Sequence, residues 1–329
     1  MASEISIVVQ PDGGYSRTMS SLPTLRQMQY FVALAETGSF SRAAAASHVT
    51  QSTLSDAIRQ LEEIIGVSLV DRSNRSLALT PAGEETVRRM KTLLVDAREM
   101  VDAARASQVP LSGRIRLGVI PSIAPYFLPR ALPDLRRAYP DLRLHLREDL
   151  TRTLLDDLRA GRLDICLLAF PAQTEGLATE IIAEDTLLLA VDDHHRLAGR
   201  ASVQREELAD ETLLLLEDGH CLRDHIRAVA PGLADRQDEE IRASSLTTLV
   251  HMVDNRLGIT FLPRIAVEAG ILSGTDIRLA ELSGAPARRS LGLAWRKGSS
   301  READFRLLTA FLRKLAVEPV PHRPALGVA

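Results

Sequence analysis

The chain has 329 residues, 45% hydrophobic and 25% charged, which is the composition of a soluble globular protein with room for two or three domains. Its apolar runs are all shorter than the roughly 20 residues that a membrane helix needs. The net charge of −3 gives no indication of a nucleic-acid binder. Eight histidines and two cysteines show no zinc-like spacing, so no metal and no cofactor is expected.

The two ends of the chain are predicted to be unstructured. Residues 1–21 lack the cationic start and the long apolar core of a signal peptide, and we expect a disordered extension there. Residues 319–329 are expected to form a disordered tail. Because the chain has few cysteines and no export signal, we expect it in the reducing cytoplasm.

Three helical patterns lie between residues 25 and 65. The first ends at Gly38, and a short alanine-rich helix follows it around residues 42–47. After a turn at residues 48–50, a third helix is predicted over 51–65 with Thr50 as its N-cap. The apolar face predicted for this third helix consists of Leu54, Ile58, Leu61 and Ile65, and its polar face consists of Gln51, Ser52, Ser55 and Arg59. The apolar face predicted for the first helix consists of Leu25, Met28, Phe31, Val32 and Ala35.

The two short helices joined by a tight turn are typical of a helix-turn-helix. Gln51 offers a donor and an acceptor to a base edge, while Ser52 and Ser55 are short enough to let the helix approach a groove. An ordinary three-helix packing unit with a solvated polar face fits the spacing equally well. The charge does not decide between the two, because residues 25–80 contain as many acidic residues as arginines. The candidate DNA-contacting residues are Arg42, Thr50, Gln51, Ser52, Ser55, Arg59, Arg72 and Arg75.

Residues 67–79 are predicted to form two short strands around a turn at 73–75, which would make a wing. Thr80 and Pro81 then begin a longer helix. Its apolar residues alternate in three- and four-residue steps, which indicates either packing on its own domain or a dimerisation seam. The linker at 106–113 favours the seam. The residues of the seam are Val87, Met90, Leu94, Ala97, Val101 and Ala104.

Residues 22–106 resemble the winged helix-turn-helix and linker helix of LysR-type transcriptional regulators. The matching stretches are LRQMQYF at 25–31, GSFSRAA at 38–44, TQSTLS at 50–55, LE at 61–62, GV at 66–67 and LTPAG at 79–83. The resemblance implies a DNA-binding domain over 22–80 and a linker and dimerisation helix with a hinge over 81–113. It also implies binding to double-stranded promoter DNA as a homodimer or homotetramer, with RNA polymerase as a further partner.

From residue 114 onward, short apolar runs alternate with helical patterns, which predicts an α/β domain over 114–318. The pattern divides into two subdomains with a cleft between them. Because ligands sit at the carboxyl ends of parallel strands, Ser122 and Thr151 are expected to face this cleft. LysR-type regulators carry an effector domain of this kind, which resembles periplasmic binding proteins.

Cys221 is predicted to lie at the start of a helix, directly after His220. Free backbone N–H groups, the helix dipole and the nearby cations Arg223 and Arg227 would favour a thiolate over a thiol. This environment predicts a lowered thiol pKa and a reactive cysteine. The alternative is a small buried side chain without a chemical role.

The sequence LEDGHCLRD at residues 216–224 is similar to the peroxidatic-cysteine segment of OxyR-type regulators within the LysR family. Further similar stretches are IPS at 120–122, PYFLP at 125–129, SSLTTL at 244–249, GITFLP at 258–263 and RR at 288–289. The resemblance implies that Cys221 reacts with hydrogen peroxide. The residues that would surround the peroxide are His220, Ser122, Thr151 and Arg289, or Arg288 in its place.

The chain departs from the OxyR-type pattern at Ala230, where those proteins usually have a second cysteine. Cys166 lies in an apolar strand pattern, which is typical of an inert buried residue. We therefore expect peroxide sensing without an intramolecular disulfide. Two alternatives are a regulator that binds a small molecule in the cleft, with Cys221 silent, and a thiol peroxidase. The missing resolving thiol and the helix-turn-helix argue against an enzyme.

Overall fold

The computed structural model describes residues 22–71, 77–105, 109–230, 242–284 and 287–317. The chain divides into two compact units, Met1–Asp96 and Ala97–Ala329. The predicted terminal extensions at 1–21 and 319–329 lie outside the described residues. Within the described part, no helix is both long enough and apolar enough to span a membrane.

The first unit begins with three helices, α1 (Leu25–Thr37), α2 (Phe40–Ala46) and α3 (Gln51–Ile65). The Thr24, Ser39 and Thr50 side chains cap their N-termini by accepting backbone N–H groups. Gly38 ends α1 and Gly66 ends α3, both with the left-handed backbone that glycine adopts without strain. The predicted bounds of α3 and its Thr50 cap are confirmed.

The predicted apolar face of α1 is confirmed except at Leu25. Phe31 is buried in the core, and Met28, Val32 and Ala35 pack against it, whereas Leu25 is 50% exposed. Tyr30 and Leu34 are buried as well. Leu25 occupies the first position of the helix, and the core contacts only the turns that follow. On α3 the predicted apolar face is confirmed, with Leu54, Ile58 and Leu61 fully buried.

The predicted wing is present as β1 (Val70–Asp71) and β2 (Ala78–Leu79), which pair antiparallel. Its tip, with Arg72 and Arg75, lies outside the described residues. The helix α4 (Pro81–Arg105) follows. Val87 and Met90 pack into the core of the first unit, while Met100 and Val101 further along are exposed. Packing on the first unit therefore accounts for the beginning of the seam and leaves its end uncovered.

The second unit starts as a parallel sheet with helical crossovers. Its strands β3 (Gly113–Val119), β4 (Leu142–Glu148) and β5 (Ile165–Phe170) have the order β4–β3–β5. The helices α5 (Ala124–Ala138) and α6 (Thr151–Arg159) connect them. The elements that follow are β6 (Leu177–Val191), β7 (Ser202–Val203), a 3₁₀ helix (Arg205–Leu208), β8 (Leu215–Leu216), α7 (Cys221–Val229), β9 (Arg242–Ala243), α8 (Leu246–Asp254), β10 (Thr260–Pro263), α9 (Arg264–Glu268), β11 (Arg278–Leu282), β12 (Arg288–Arg296) and α10 (Glu302–Val317).

Two hydrophobic cores confirm the two predicted subdomains. The strand β6 passes through both cores, although the longest apolar run in its sequence covers only residues 187–191. Leu177 and Ile182 lie in the first core, and residues 187–191 lie in the second. Partly exposed polar residues between 179 and 186 obscure the continuous strand in the sequence. β12 pairs antiparallel with β5 and β6, and its register places Arg289 opposite Asp185.

Candidate functional site: a small cavity at the start of helix α7

A small cavity lies where the carboxyl ends of β3 and β4 meet the N-terminus of α7. The volume that the centre of a water-sized molecule can occupy in this cavity is about 10 Å³. One ordered water requires about that volume. The cavity therefore has room for one very small molecule. It is lined by Ile120, Pro121, Ser122, Leu150, Thr151, Gly219, His220, Cys221 and Leu222.

Cys221 is the first residue of α7, as predicted, and His220 is its N-cap residue. The preceding Gly219 has a φ of 94°, a left-handed conformation that favours glycine. A Cβ atom at Gly219 would also lie 3.0 Å from a Leu150 methyl group. This turn brings the half-buried thiol to the cavity wall, beside the first backbone N–H groups of the helix.

Thr151, the first residue of α6, lies on the opposite wall. Its Oγ1 atom is buried and has no hydrogen-bond partner of normal geometry among the described residues. It is nevertheless close enough to the Cys221 thiol to lower that thiol's pKa. A buried hydroxyl without a partner is costly, and a small polar molecule in the cavity would satisfy it.

Ser122 is held by Arg289. The Arg289 Nη1 atom donates to Ser122 Oγ over 2.7 Å, and Nη2 donates to the Ser122 carbonyl oxygen over 3.1 Å. Because Ser122 Oγ accepts this bond, its own O–H group points to another partner. Both residues are buried, whereas Arg288 is exposed. Of the two arginines that the sequence left open, only Arg289 contacts the cavity wall.

The predicted lowering of the Cys221 pKa is wrong. Burial raises the pKa of the thiol above its ordinary value, and the opposing effects of Thr151 and the Arg289 charge do not outweigh it. The sequence shows the helix start but not the walls that later elements place around the sulfur. The resting thiol is therefore protonated at neutral pH.

The predicted cations are also wrong. Arg223 donates to the Leu216 carbonyl oxygen and pairs with Asp218, so its charge is directed to the exposed side of the turn. Arg227 is exposed one turn further along α7. The cation that acts on the thiol is Arg289, which strand pairing brings from a distant part of the chain.

His220 also lines the cavity, and burial lowers the pKa of its imidazole. It is therefore neutral at physiological pH and has a ring nitrogen that can accept a proton. His225, one turn further along α7, is buried, and its Nδ1 atom has no partner among the described residues. Burial, together with the Arg289 charge, lowers the pKa of His225 as well.

Neither Asp185 nor His225 was among the sequence candidates. Asp185 Oδ2 accepts a hydrogen bond from Arg289 Nε over 2.9 Å, and both side chains are fully buried. Its position follows from the pairing of β6 with β12, which the sequence does not reveal. The spacing of His225 could have indicated it, since it follows Cys221 by four residues and therefore lies on the same face of the helix.

Cys166, which its apolar strand pattern predicted to be a buried residue, is confirmed as part of the core. Cys166 is fully buried in β5, and its thiol contacts the Leu154 carbonyl oxygen over 3.6 Å. Burial raises the pKa of Cys166 to about 12, so it carries no thiolate at neutral pH. Ala230 is buried in the second core at the position of the missing second cysteine.

In the first unit, most of the predicted DNA-contacting side chains lie at the start of α3. Thr50, Gln51 and Ser52 are exposed there, and Ser55 is partly exposed. Gln51 Oε1 accepts a hydrogen bond from Ser41 Oγ, which fixes the amide at the helix start. Arg42 is exposed on α2, and the exposed Arg59 pairs with Asp56 over 2.7 Å. Surface pairs of this kind are weak, so a phosphate can replace Asp56.

Two family models match these two parts of the chain. A bacterial regulatory helix-turn-helix protein of the lysR family matches residues 25–84, and the LysR substrate binding domain matches residues 108–316. The chain belongs to the LysR family. Its first unit is accordingly the DNA-binding domain of a transcription regulator, and the predicted resemblance to LysR-type regulators is confirmed.

Three similar proteins illustrate the range of relatives within the LysR family. The HTH-type transcriptional regulator EstR of Acinetobacter baylyi is 39% identical over 298 residues, which are 90% of this chain and 98% of that protein. The DNA-binding transcriptional dual regulator OxyR of Escherichia coli is 37% identical over 289 residues, covering 88% of this chain and 94% of OxyR. An H₂O₂-bound mutant of OxyR from Corynebacterium glutamicum has a TM-score of 0.62 at 33% identity. That match covers 90% of this chain and 94% of the mutant chain.

Proposed function

We propose that this LysR-family regulator senses hydrogen peroxide through Cys221 and controls genes of the oxidative stress response. The observation that carries the proposal is the cavity itself. It has room for one molecule of about the size of water, and a thiol, two hydroxyl groups and an imidazole line it. Hydrogen peroxide, a molecule of only two heavy atoms, matches this set of hydrogen-bond donors and acceptors. The similarity to an H₂O₂-bound OxyR structure supports the same assignment.

The proposed reaction converts the Cys221 thiol and one peroxide molecule into a sulfenic acid and water. The neutral His220 accepts the thiol proton, and the resulting thiolate attacks one peroxide oxygen. An S–O bond forms as the O–O bond breaks, and the departing oxygen takes up a proton and leaves as water. The hydroxyl groups of Ser122 and Thr151 donate to the peroxide oxygens, and the charge of Arg289 stabilises the developing anion.

The sulfenic acid persists because this chain has no second reactive thiol at hand. Ala230 replaces the expected cysteine, and the Cys166 thiol stays protonated in the core. The new polar oxygen occupies a cavity that has little spare room, so residues 217–230 must repack around it. We propose that this repacking is the signal, without an intramolecular disulfide.

The proposed partner of the first unit is double-stranded promoter DNA. The residues that would contact it are Arg42, Thr50, Gln51, Ser52, Ser55, Arg59 and, in the wing tip, Arg72 and Arg75. The exposed end of α4, with Met100 and Val101, supports a homodimer. We extend the proposal to a homotetramer on the resemblance to LysR-type regulators alone. We also propose that the protein acts in the cytoplasm and contacts RNA polymerase.

A second candidate function is a regulator that responds to a small molecule, with Cys221 silent. The relative EstR favours it, because that protein is as similar to this chain as OxyR is and its name does not refer to peroxide. Against it, the cavity beside Cys221 is too small for a metabolite of several heavy atoms, so such a ligand would have to bind elsewhere in the second unit. The two candidates differ in whether the response depends on Cys221.

The test is a DNA-binding and transcription assay on an operator selected by the reduced full-length protein. We expect hydrogen peroxide to change the footprint and the transcript level for the wild type but not for Cys221→Ser. Cys166→Ser serves as the matched control and should respond like the wild type. Unchanged DNA affinity and an unchanged peroxide response in Cys221→Ser would exclude Cys221 as the sensor and support the second candidate.

A further inference from the structure

A chain of buried hydrogen bonds connects the cavity wall to the second subdomain. The backbone N–H of Ile265, at the start of α9, donates to Asp185 Oδ1 over 3.1 Å. Asp185 Oδ2 accepts from Arg289 Nε over 2.9 Å, and Arg289 in turn holds Ser122. The side chains of Asp185 and Arg289 are both fully buried, and Ser122 is only 3% exposed.

Each link in this chain fixes the orientation of the next. Asp185 lies directly opposite Arg289 in the antiparallel pairing of β6 with β12, so the two backbones set the distance between them. The guanidinium group is planar, and a bond at Nε therefore determines where Nη1 and Nη2 point. Those two donors hold both the hydroxyl and the carbonyl oxygen of Ser122.

The consequence concerns the hydroxyl hydrogen of Ser122. Because Arg289 occupies one acceptor position of Oγ, the O–H bond must turn away from the guanidinium. Ser122 lines the cavity, so this rotation leaves the hydroxyl able to donate to a molecule held against Cys221. A misplacement of about 1 Å at such a donor can reduce a reaction rate about a hundredfold.

We infer that Asp185 is a positioning residue for the reaction of Cys221: it acts through Arg289 to fix the donor geometry of Ser122. The inference rests on the proposed peroxide reaction. Asp185 itself does not line the cavity. A buried guanidinium without its carboxylate is costly, so in Asp185→Asn the Arg289 side chain is expected to move towards water and release Ser122.

The experiment compares two reactions of the reduced full-length protein, one with hydrogen peroxide and one with iodoacetamide. Alkylation needs the thiol but no donor to a departing oxygen. Both rates are expressed per thiolate, from the Cys221 pKa measured in each variant. On that scale we expect Asp185→Asn to slow the peroxide reaction about tenfold or more, while the alkylation rate changes by less than about threefold. Asp164→Asn is the matched control, since Asp164 also pairs with an arginine side chain and a backbone N–H but lies outside the cavity.

A double-mutant cycle with Ser122→Ala tests the route of the effect. If Asp185 acts through Ser122, Asp185→Asn should slow the peroxide reaction per thiolate clearly less in Ser122→Ala than in the wild type. Any loss that remains in Ser122→Ala comes from the Arg289 charge, which no longer stabilises the developing anion. Independent effects that multiply would overturn the inference, as would equal losses in the peroxide and alkylation rates. A protein that is merely destabilised would open around the buried thiol, so its alkylation would become faster.

Two further measurements keep the inference testable. If Asp185→Asn does not fold, the variant Asp185→Asn with Arg289→Gln leaves no buried charge unpaired, and adding Ser122→Ala to it should cause no further large loss. If wild-type Cys221 reacts no faster with peroxide than free cysteine does, the proposed function fails. The Cys221 pKa then tests the link from Asp185 to Arg289 by itself: it should rise in Asp185→Asn as the Arg289 charge withdraws, and an unchanged pKa would contradict that link.

Discussion

The two cysteines of the second unit show how surroundings decide the chemistry of one functional group. Cys166 lies near the start of the central strand β5, and Cys221 begins a helix at the edge of the same hydrophobic core. Burial raises the pKa of both thiols, to about 12 for Cys166. Burial alone therefore does not separate a reactive cysteine from an inert one.

The difference lies in space and in polar partners. A side chain at the neighbouring Gly118 would approach the Cys166 sulfur to 3.1 Å and two leucine methyl groups more closely still, so that site is closely packed. Cys221 instead faces a cavity with hydroxyl groups, an imidazole and a nearby cation. These groups stabilise charge where it develops, which a well-packed apolar site cannot do.

The largest expected effect comes from removing a polar partner of Cys221. Thr151→Val keeps the shape of the side chain but removes the hydroxyl from the cavity. We expect the rate constant for peroxide oxidation of Cys221 to fall about a hundredfold, the usual loss for one donor to a developing anion. Quenched-flow thiol counting measures this rate. Thr92→Val, on the exposed surface of α4, should leave it unchanged.

The pH dependence of the thiolate ultraviolet absorbance tests the raised pKa of Cys221. Burial raises this pKa above its ordinary value, so the thiolate fraction should stay small up to about pH 8 and grow only above it. The variant Cys221→Ser removes this signal and gives the baseline. A full thiolate signal already at about pH 7 would mean that the thiol is ionised, as the sequence alone had indicated.

A smaller effect is expected from enlarging the cavity. Leu150 lines the wall beside Gly219, and Leu150→Ala creates space next to the sulfur. The rate with tert-butyl hydroperoxide should increase several-fold relative to the rate with hydrogen peroxide, because shape exclusion by one or more methyl groups is worth about tenfold or more. An unchanged ratio would show that cavity size does not select the oxidant.

The smallest effect is expected at Cys166. Cys166→Ala removes a buried sulfur atom and should lower the free energy of unfolding by about 1 kcal/mol. Urea unfolding measures that loss, and the peroxide reaction of Cys221 should stay within about twofold of the wild type. A large loss of peroxide reactivity would make Cys166 part of the sensing mechanism and remove the contrast between the two thiols.

Local signals in the sequence were sufficient where neighbouring residues determine the structure. The bounds of α3 follow from its apolar spacing, the Thr50 cap and Gly66, and the start of α7 at Cys221 follows from the glycine turn before it. The same local signals suggested Arg223 and Arg227 as the cations near the thiol. They failed there because hydrogen bonds within the turn draw Arg223 away.

The remainder of the site depends on tertiary structure. Arg289 was suggested by a family resemblance, and its contact with Ser122 requires the register of β6 and β12. Asp185 could not be predicted, because nothing in its sequence neighbourhood marks it as buried. The direction of the Cys221 pKa shift likewise depends on walls supplied by β3, β4 and α6, which are distant in sequence.

The most direct test of the account is mass spectrometry of the full-length protein after one equivalent of hydrogen peroxide, with a sulfenic-acid trap present. We predict a trapped sulfenic acid on Cys221, an unmodified thiol on Cys166 and no disulfide between them. Persistence of the Cys221 thiol under these conditions would contradict peroxide sensing. A disulfide between Cys221 and Cys166 would contradict the claim that the two thiols differ in function.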